Sequence, residues 1–394
     1  MSDLTSIDKI LATMRAVAEA PTAYVAAWKE KTGNKAFGIF PMNFPVELVH
    51  GAGALPVIVQ ESRTPVTLGR SILFEFYCGY TRSIADQAAT GEFACYDGFL
   101  LVDHCVALLG AADAMRFQLP NVPVYLAQFP ASMDEDMSRT VTAEKIAELR
   151  QEIERLTGSA VTDDALRDSI RLYNRNRQLQ RQLYALRKSG AIRLPASQLQ
   201  TIVKSAMIMD IAEHNALLEE LLSLLSASGC GAAAPVRLHL SGHFCHAPRP
   251  EILEMIEGCG ADIVDDDLYT GFRYISTDVD DSVDPATALM RWYFKRNVNV
   301  PCSTRAQKDA DWEVYLANAV RNSGADGVII LMAKFCEPHM LYFPEIRKEL
   351  NRQEIPFLLI ETEHEGLAIE MLKTRVEALV ERIRRPAFGL RQPS

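Results

Sequence analysis

The chain repeats its own plan. A short apolar run, AFGIFP (36–41), passes through a Pro-rich turn into a helical segment, PVELVHGAG (45–53), and then a second apolar run, ALPVIV (54–59). Far downstream, VRLHLSG (236–242) passes through a turn with Pro248 and Pro250 into EILEMIEGCG (251–260) and ADIVDD (261–266). The two helical segments end alike, at Gly51-Ala52-Gly53 and Gly258-Cys259-Gly260, where glycine suits the left-handed backbone that closes a helix. YDGFLLVDHC (96–105) then corresponds to ADGVIILMAKFC (325–336), and NVPVYLAQF (121–129) to EIPFLLIET (354–362). Strands alternating with helices predict a parallel sheet covered by helices, and unbroken apolar runs predict strands buried on both faces. The expected fold class is α/β: two similar parallel-sheet domains, 1–140 and 231–394, with a helical region at 141–230 between them.

In that middle region TAEKIAELRQEIERLTG carries apolar residues at helical spacing, and Thr162 before Asp163 and Asp164 is a helix start. Leu166, Ile170, Tyr173, Leu179, Leu183 and Leu186 continue the spacing. Arg167, Arg171, Arg175, Arg177 and Arg181 decorate the same helix; a phosphate-binding face is one reading, and a solvated charged face is the expected one. A formal net charge of −10 argues against a nucleic-acid partner. The most apolar stretch, ALLEELLSLLSASGC (216–230), contains Glu219 and Glu220 and reads as an amphipathic helix rather than a membrane span. The N-terminus lacks the basic-then-apolar build of a secretory signal, so the cytoplasm is the expected location and no membrane partner is expected.

The eight cysteines (78, 95, 105, 230, 245, 259, 302 and 336) are not expected to pair in a reducing compartment. No C-x-x-C occurs, so neither a zinc ribbon nor a thioredoxin-like site is indicated, and a metal site must be assembled from distant segments. Open parallel sheets bind ligands at the carboxyl ends of their strands. Cys105 and Cys336 sit just past the ends of equivalent strands, and two domains facing a cleft would bring these thiols together. Thiolates without zinc spacing suit an iron–sulfur cluster, against the alternative of two buried structural thiols. Cys78, in FYCGYTRS (76–83), opens a helix, whose exposed amides favour a thiolate. Cys302, in VPCSTR (300–305), is its counterpart and rival as a third ligand. Cys95, Cys230, Cys245 and Cys259 read as buried thiols.

The segments FPVELVHGAGALPVIV (44–59), YCGYTRS (77–83), GFLLVDHCVALLG (98–110) and KFCEPHMLYFP (334–344) resemble the 2-hydroxyacyl-CoA dehydratase and benzoyl-CoA reductase family, and the likeness runs over nearly the whole chain. The resemblance implies a 4Fe-4S cluster held by three cysteines, which match Cys78, Cys105 and Cys336; Cys302 stands where the family has no ligand. Three thiolates leave one iron for an external ligand, as a catalytic zinc keeps one open position. The resemblance further implies a homologous iron–sulfur subunit as partner, an ATP-hydrolysing activator with ferredoxin as electron source, and an aryl- or acyl-CoA substrate. This chain lacks a G-x-x-x-x-G-K-[ST] loop, which places ATP hydrolysis on another chain. The stretch AWKEKTGNKAFGIFPMNFPVELVHGAG is most similar to the smaller substrate-handling subunit of ATP-dependent benzoyl-CoA reductase, so reductive dearomatisation of an aryl-CoA is the expected activity. Radical dehydration of a 2-hydroxyacyl-CoA is the second expectation. A non-catalytic electron relay or scaffold is the third, favoured if a fourth protein ligand saturates the cluster.

His104, beside Cys105, and His339, three residues after Cys336, are candidate proton donors, each with a structural role as its alternative. Glu47 lies where the family places groups on the substrate side, with helix capping as its other reading. In the loop SGHFCHAPRP (241–250), His243, His246 and Arg249 face the same strand ends, either to meet CoA phosphates or to shape the domain junction.

Overall fold

The structure is a computed structural model that describes residues 2–227, 234–364 and 368–385; Cys230 lies outside them. Each half holds a four-stranded, all-parallel sheet. The first contains β1 (Ala36–Ile39), β2 (Leu55–Ile58), β3 (Gly98–Val102) and β4 (Val124–Ala127) in the order β2-β1-β3-β4. The second contains β5 (Val236–Gly242), β6 (Ala261–Asp266), β7 (Gly327–Ala333) and β8 (Phe357–Thr362) in the order β6-β5-β7-β8. The internal repeat is therefore a repeat of topology, strand for strand.

The repeated Asp-Gly has a physical role that the pattern alone does not reveal. The Asp97 carboxylate accepts from the Ala36 amide at 2.8 Å, and the Asp97 amide donates back to the Ala36 carbonyl at 2.8 Å. Asp326 makes the same two bonds with Arg237, at 2.8 and 2.7 Å. Each aspartate thus closes the open start of the ladder between the two central strands, and the following glycine sets the register, with Phe37 opposite Gly98 and Leu238 opposite Gly327. Gly53 and Gly260, which end the first crossover helix in each half, have φ of 76° and 83°, the left-handed conformation expected of them.

Between the sheets lie helices Asp136–Thr157, Asp163–Lys188, Ala196–Ala206 and Ile211–Ala227. Thr162 caps the second of these, its hydroxyl accepting from the Ala165 amide at 3.2 Å. This 26-residue helix joins the two halves. Towards the first, Arg177 pairs with Glu47 at 2.5 Å; towards the second, Tyr184 donates to Asp266 at 2.7 Å and Lys188 pairs with Asp265 at 3.0 Å. One apolar core runs continuously from the first sheet through these helices to the cleft-facing side of the second, and a separate core covers the other face of the second sheet.

The expectation of a solvated arginine face needs correction at two positions: Arg181 is half-buried, donating to the Ile275 carbonyl at 2.6 Å and pairing with Asp278 at 2.7 Å, and Arg177 is buried. Arg167 and Arg171 pair with Asp164 and Asp168 at the surface, and Arg175 with Glu219, but Arg177 is buried against Glu47 and stacks near Tyr173 and Trp292. A helix packed on both sides has no wholly solvated face, so the residue that points into the junction must be matched by a buried counter-charge.

No helix among the described residues is long and apolar enough to cross a membrane. The buried pair yields a stability test. Arg177→Met alone strands the Glu47 carboxylate and is expected to lower unfolding free energy by roughly 3–5 kcal/mol. The double replacement Glu47→Gln/Arg177→Met should regain most of that loss in denaturant titrations.

Candidate functional site

The three cysteines singled out by resemblance share one structural position: each is the residue immediately before a helix. Cys78 precedes helix Gly79–Thr90, Cys105 precedes Val106–Gln118, and Cys336 precedes Glu337–Arg352. Each sulfur lies against first-turn amides of its own helix, Thr81 for Cys78, Ala107 and Leu108 for Cys105 and His339 for Cys336, and these favour negative charge at the sulfurs. Cys105 follows the end of β3 and Cys336 the end of β7, as the repeat requires.

The loop after β5 folds inward to meet them. Gly242 has φ 109°, and a Cβ there would stand 2.1 Å from the Leu331 carbonyl oxygen, so only glycine fits. His243 is left-handed as well, with φ 44°. The chain that follows carries Phe244 against the rings of His104 and His339, at centroid distances of 5.9 and 5.6 Å. Cys245 comes within electrostatic reach of Cys105, Cys78, Cys336 and Cys302. The Cys302 sulfur lies 3.2 Å from the Thr304 hydroxyl, which in turn meets His104 Nδ1 at 3.0 Å. Five thiols therefore gather in the cleft, whereas Cys95 and Cys259 are not part of this group. Sequence reasoning left Cys245 among the buried thiols; its loop was legible from the repeat, but not the left-handed turn that folds the loop inward.

Among the described residues, no three His, Cys, Asp or Glu side chains close around a position for one metal ion. A cluster of several irons needs a wider spacing, because each thiolate meets a different iron. The donor set is soft and the surroundings are cationic: Arg273, Arg296 and Arg305 are all buried beside the cleft. Backbone carbonyls hold them, with Arg273 donating to Val300 and Pro301, Arg296 to Met42, and Arg305 to Asp103. Buried polar atoms without a hydrogen-bond partner among the described residues lie in the same region, namely both ring nitrogens of His339 and Nδ1 of His243. Such orphaned donors and acceptors suit a bound polar group.

Burial dominates the ionisation of these groups. It raises the Cys105 thiol to about 12, with the neighbouring Cys78 adding to the effect, and raises Cys336 and Cys245 in the same sense. Cys78 is the exception: burial opposes its ionisation, but His246 and Thr81 outweigh that and lower its pKa. His246 is itself raised to about 10, because Glu61 overcomes the effect of burial. Glu61 comes from the segment after β2 and reaches across the cleft to two imidazoles of the other half, His246 Nδ1 at 3.0 Å and His364 Nδ1 at 2.5 Å. His364 Nε2 faces the Thr64 carbonyl at 2.9 Å, so both its ring nitrogens donate and the ring is charged. Burial, reinforced by Arg305, Arg296 and Arg273, pushes His104 well below its ordinary value, and burial takes His339 to about 4. Both are neutral imidazoles near pH 7. Glu47 is engaged by Arg177, and Arg249 donates to the His364 carbonyl while lining a cavity with Arg63, Lys204, His243 and His246.

The Glu61 network has a defined pH signature. Burial would raise the Glu61 carboxyl, but the two histidines hold it far below its ordinary 4.5; its contribution is complete above that value and lost as pH falls further. The raised His246 contributes fully below its ordinary 6.5 and loses that contribution as pH rises towards about 10. In thermal melts of the metal-free protein, the deficit of Glu61→Gln relative to wild type should therefore be largest between pH about 4.5 and 6.5 and should shrink on either side.

Known proteins are similar to this chain in sequence. The chain is 26% identical to a benzoyl-CoA reductase subunit of Thauera aromatica over 334 residues, 84% of this chain and 86% of that one. It is 24% identical to the (R)-phenyllactyl-CoA dehydratase beta subunit of Clostridium sporogenes, covering 96% of this chain and 100% of the relative. It is 25% identical to the beta subunit of (R)-2-hydroxyglutaryl-CoA dehydratase of Acidaminococcus fermentans, covering 95% and 99%. Residues 41–383 match one protein family over most of the chain, and the protein belongs to that family, 2-hydroxyglutaryl-CoA dehydratase, D-component.

Proposed function

We propose that this chain is the iron–sulfur subunit of an ATP-dependent benzoyl-CoA reductase, holding a 4Fe-4S cluster through Cys78, Cys105 and Cys336. The observation that carries the reading is the position of these thiols, each at a helix start and all facing one cationic cleft between the two sheets. When bound, a low-potential cluster supplies single electrons for reducing a thioester-activated ring. The protein's own residues set the conditions. Helix amides together with Arg273, Arg296 and Arg305 offset negative charge at the sulfurs, and the buried rings of Phe244 and Trp312 exclude water from that side of the cleft. His104 and His339, being neutral, offer ring N–H groups to a substrate carbonyl. Arg63, Lys204 and Arg249, around the adjacent cavity, suit the phosphates of coenzyme A.

The N-terminal likeness favours the reductase. Radical dehydration of a 2-hydroxyacyl-CoA is the second reading, favoured by the two relatives named as dehydratase beta subunits, which match almost end to end. Either reaction requires a homologous iron–sulfur partner subunit, with an ATP-hydrolysing activator and ferredoxin as the electron source.

Anaerobically reconstituted protein should bind about four irons per chain. Cys78→Ser, Cys105→Ser and Cys336→Ser should lose them, and Cys302→Ser should retain them; full iron content in any of the first three contradicts the ligand set. With partner subunit, activator, ATP and reductant present, turnover of a 2-hydroxyacyl-CoA but not of benzoyl-CoA would replace the first reading with the second. In the same assay His339→Gln should reduce kcat roughly a hundredfold if this imidazole serves proton transfer, and unchanged turnover removes it from that role.

A further inference from the structure

We infer that Thr304, from the second half, is a positioning residue that fixes His104 of the first half as the tautomer with its proton on Nε2. A ring N–H is thereby held ready for the substrate. The inference rests on the reading above in which His104 offers a ring N–H to the thioester carbonyl, and it names what orients that ring.

The loop that carries Thr304 is tied to the chain around His104. Arg305 donates from Nη1 to the Thr304 carbonyl at 2.9 Å and from Nη2 to the Asp103 carbonyl. One guanidinium therefore spans the residue that bears the hydroxyl and the residue just before the histidine. Arg305 is secured in turn, its Nε donating to the Tyr293 hydroxyl at 2.6 Å, and the Asp103 carboxylate accepts from the Phe129 amide at 2.8 Å. The Cys302–Arg305 turn closes through the Arg305 amide, which donates to the Cys302 carbonyl at 3.0 Å. The Asn297 side chain accepts from the Cys302 amide at 3.0 Å. The His104 ring is buried and packs edge to face against Phe244, with its Nδ1 3.0 Å from the Thr304 hydroxyl.

That hydroxyl has a single proton to give. Its neighbours are Arg305 Nη1 at 3.4 Å, the Cys302 sulfur at 3.2 Å and His104 Nδ1 at 3.0 Å. A guanidinium only donates and a thiol sulfur accepts weakly, which leaves the imidazole nitrogen as the acceptor. The Thr304 proton therefore goes to His104 Nδ1, while the Cys302 S–H points at the hydroxyl oxygen. In a neutral imidazole the nitrogen that accepts carries no proton, so the ring proton sits on Nε2. His104 Nε2 has no hydrogen-bond partner among the described residues, so its N–H is not already engaged.

His339 lacks any such control. Both its ring nitrogens are buried and unbonded among the described residues, and nothing there selects its tautomer. Of the two candidate donors, His104 is the pre-oriented one. The same contacts give Cys302 a use that needs no iron: its S–H occupies a lone pair of the hydroxyl and leaves the hydroxyl proton for the ring.

Histidine tautomers are read directly in long-range proton–nitrogen correlation spectra of the full-length, metal-free protein carrying isotope-labelled imidazoles. The His104 signal is the one lost in His104→Gln. Wild type is expected to carry the proton on Nε2, and Thr304→Ser should keep it there. Thr304→Val removes the hydroxyl at nearly constant shape and should divide the signal between both tautomers. A wild-type proton on Nδ1 overturns the inference, and this arm needs no Thr304 variant to fold. A Thr304→Val spectrum with the wild-type tautomer also overturns it. In the assay with partner subunit, activator, ATP and reductant, Thr304→Val should lower kcat roughly tenfold with KM unchanged, and Thr304→Ser should restore it. Wild-type kcat in Thr304→Val overturns the positioning role. If wild type turns over no acyl-CoA while His104 carries its proton on Nε2, the functional reading fails and the tautomer assignment stands.

Discussion

The site depends on a carboxylate that holds the two halves face to face. Glu61, from the first half, lies between His246 and His364 of the second, and together with the Arg296–Met42, Arg305–Asp103 and Thr304–His104 contacts it fixes the two sets of strand-end loops against each other. Burying a carboxylate and two imidazoles is unfavourable unless each finds its partner. Here Glu61 satisfies one nitrogen of each ring, and the Thr64 carbonyl takes the second donor of His364. The clamp also positions a thiol: a Cβ at Gly79 would lie 2.6 Å from His364 Cβ, so the helix that Cys78 opens packs directly against the clamped residue. Cys78 is therefore fixed to the opposite half twice, through the backbone at Gly79 and through His246.

Around this junction the chain accepts local strain. Met42, His243 and Phe335 have φ of 92°, 44° and 64°, and all three lie in loops that leave the carboxyl ends of central strands. Side chains in the left-handed region are destabilised by roughly 1–3 kcal/mol each and persist only where their surroundings hold them. Arg296 holds the Met42 carbonyl, the Leu331 carbonyl accepts from the His243 amide at 3.2 Å, and Thr362 accepts from the Lys334 amide just before Phe335 at 2.8 Å. The strain is concentrated where loops must turn sharply enough to present thiols to one cleft, and the buried Arg296 that secures the Met42 turn also adds positive charge there.

Much of this was legible in the residues. The doubled strand-and-helix pattern, the Asp-Gly turns and the helix-ending glycines are local signals, set by backbone sterics and by the need of each ladder to satisfy its first amides. They sufficed for two similar parallel sheets and for the placement of Cys105 and Cys336 past equivalent strands, but not for the strand order within each sheet. Cys78 was legible as a helix start. Arg177 was not legible as a buried charge, because its helical spacing does not distinguish a solvated face from one covered by a second domain. Cys245 was read as an ordinary buried thiol for a related reason: its place among the other thiols depends on the backbone sign at Gly242 and His243 and on ring contacts with residues far away in the chain.

The sequence by itself determined the fold class, the repeat, the family likeness and the identity of the cysteines that stand at strand and helix ends, since each follows from short-range pattern. Tertiary structure decided which thiols meet, which histidines are neutral and which charged, and which arginines are buried. Those properties arise from desolvation and from contacts between the two halves, and no local pattern encodes the distance between Glu61 and the imidazoles it holds.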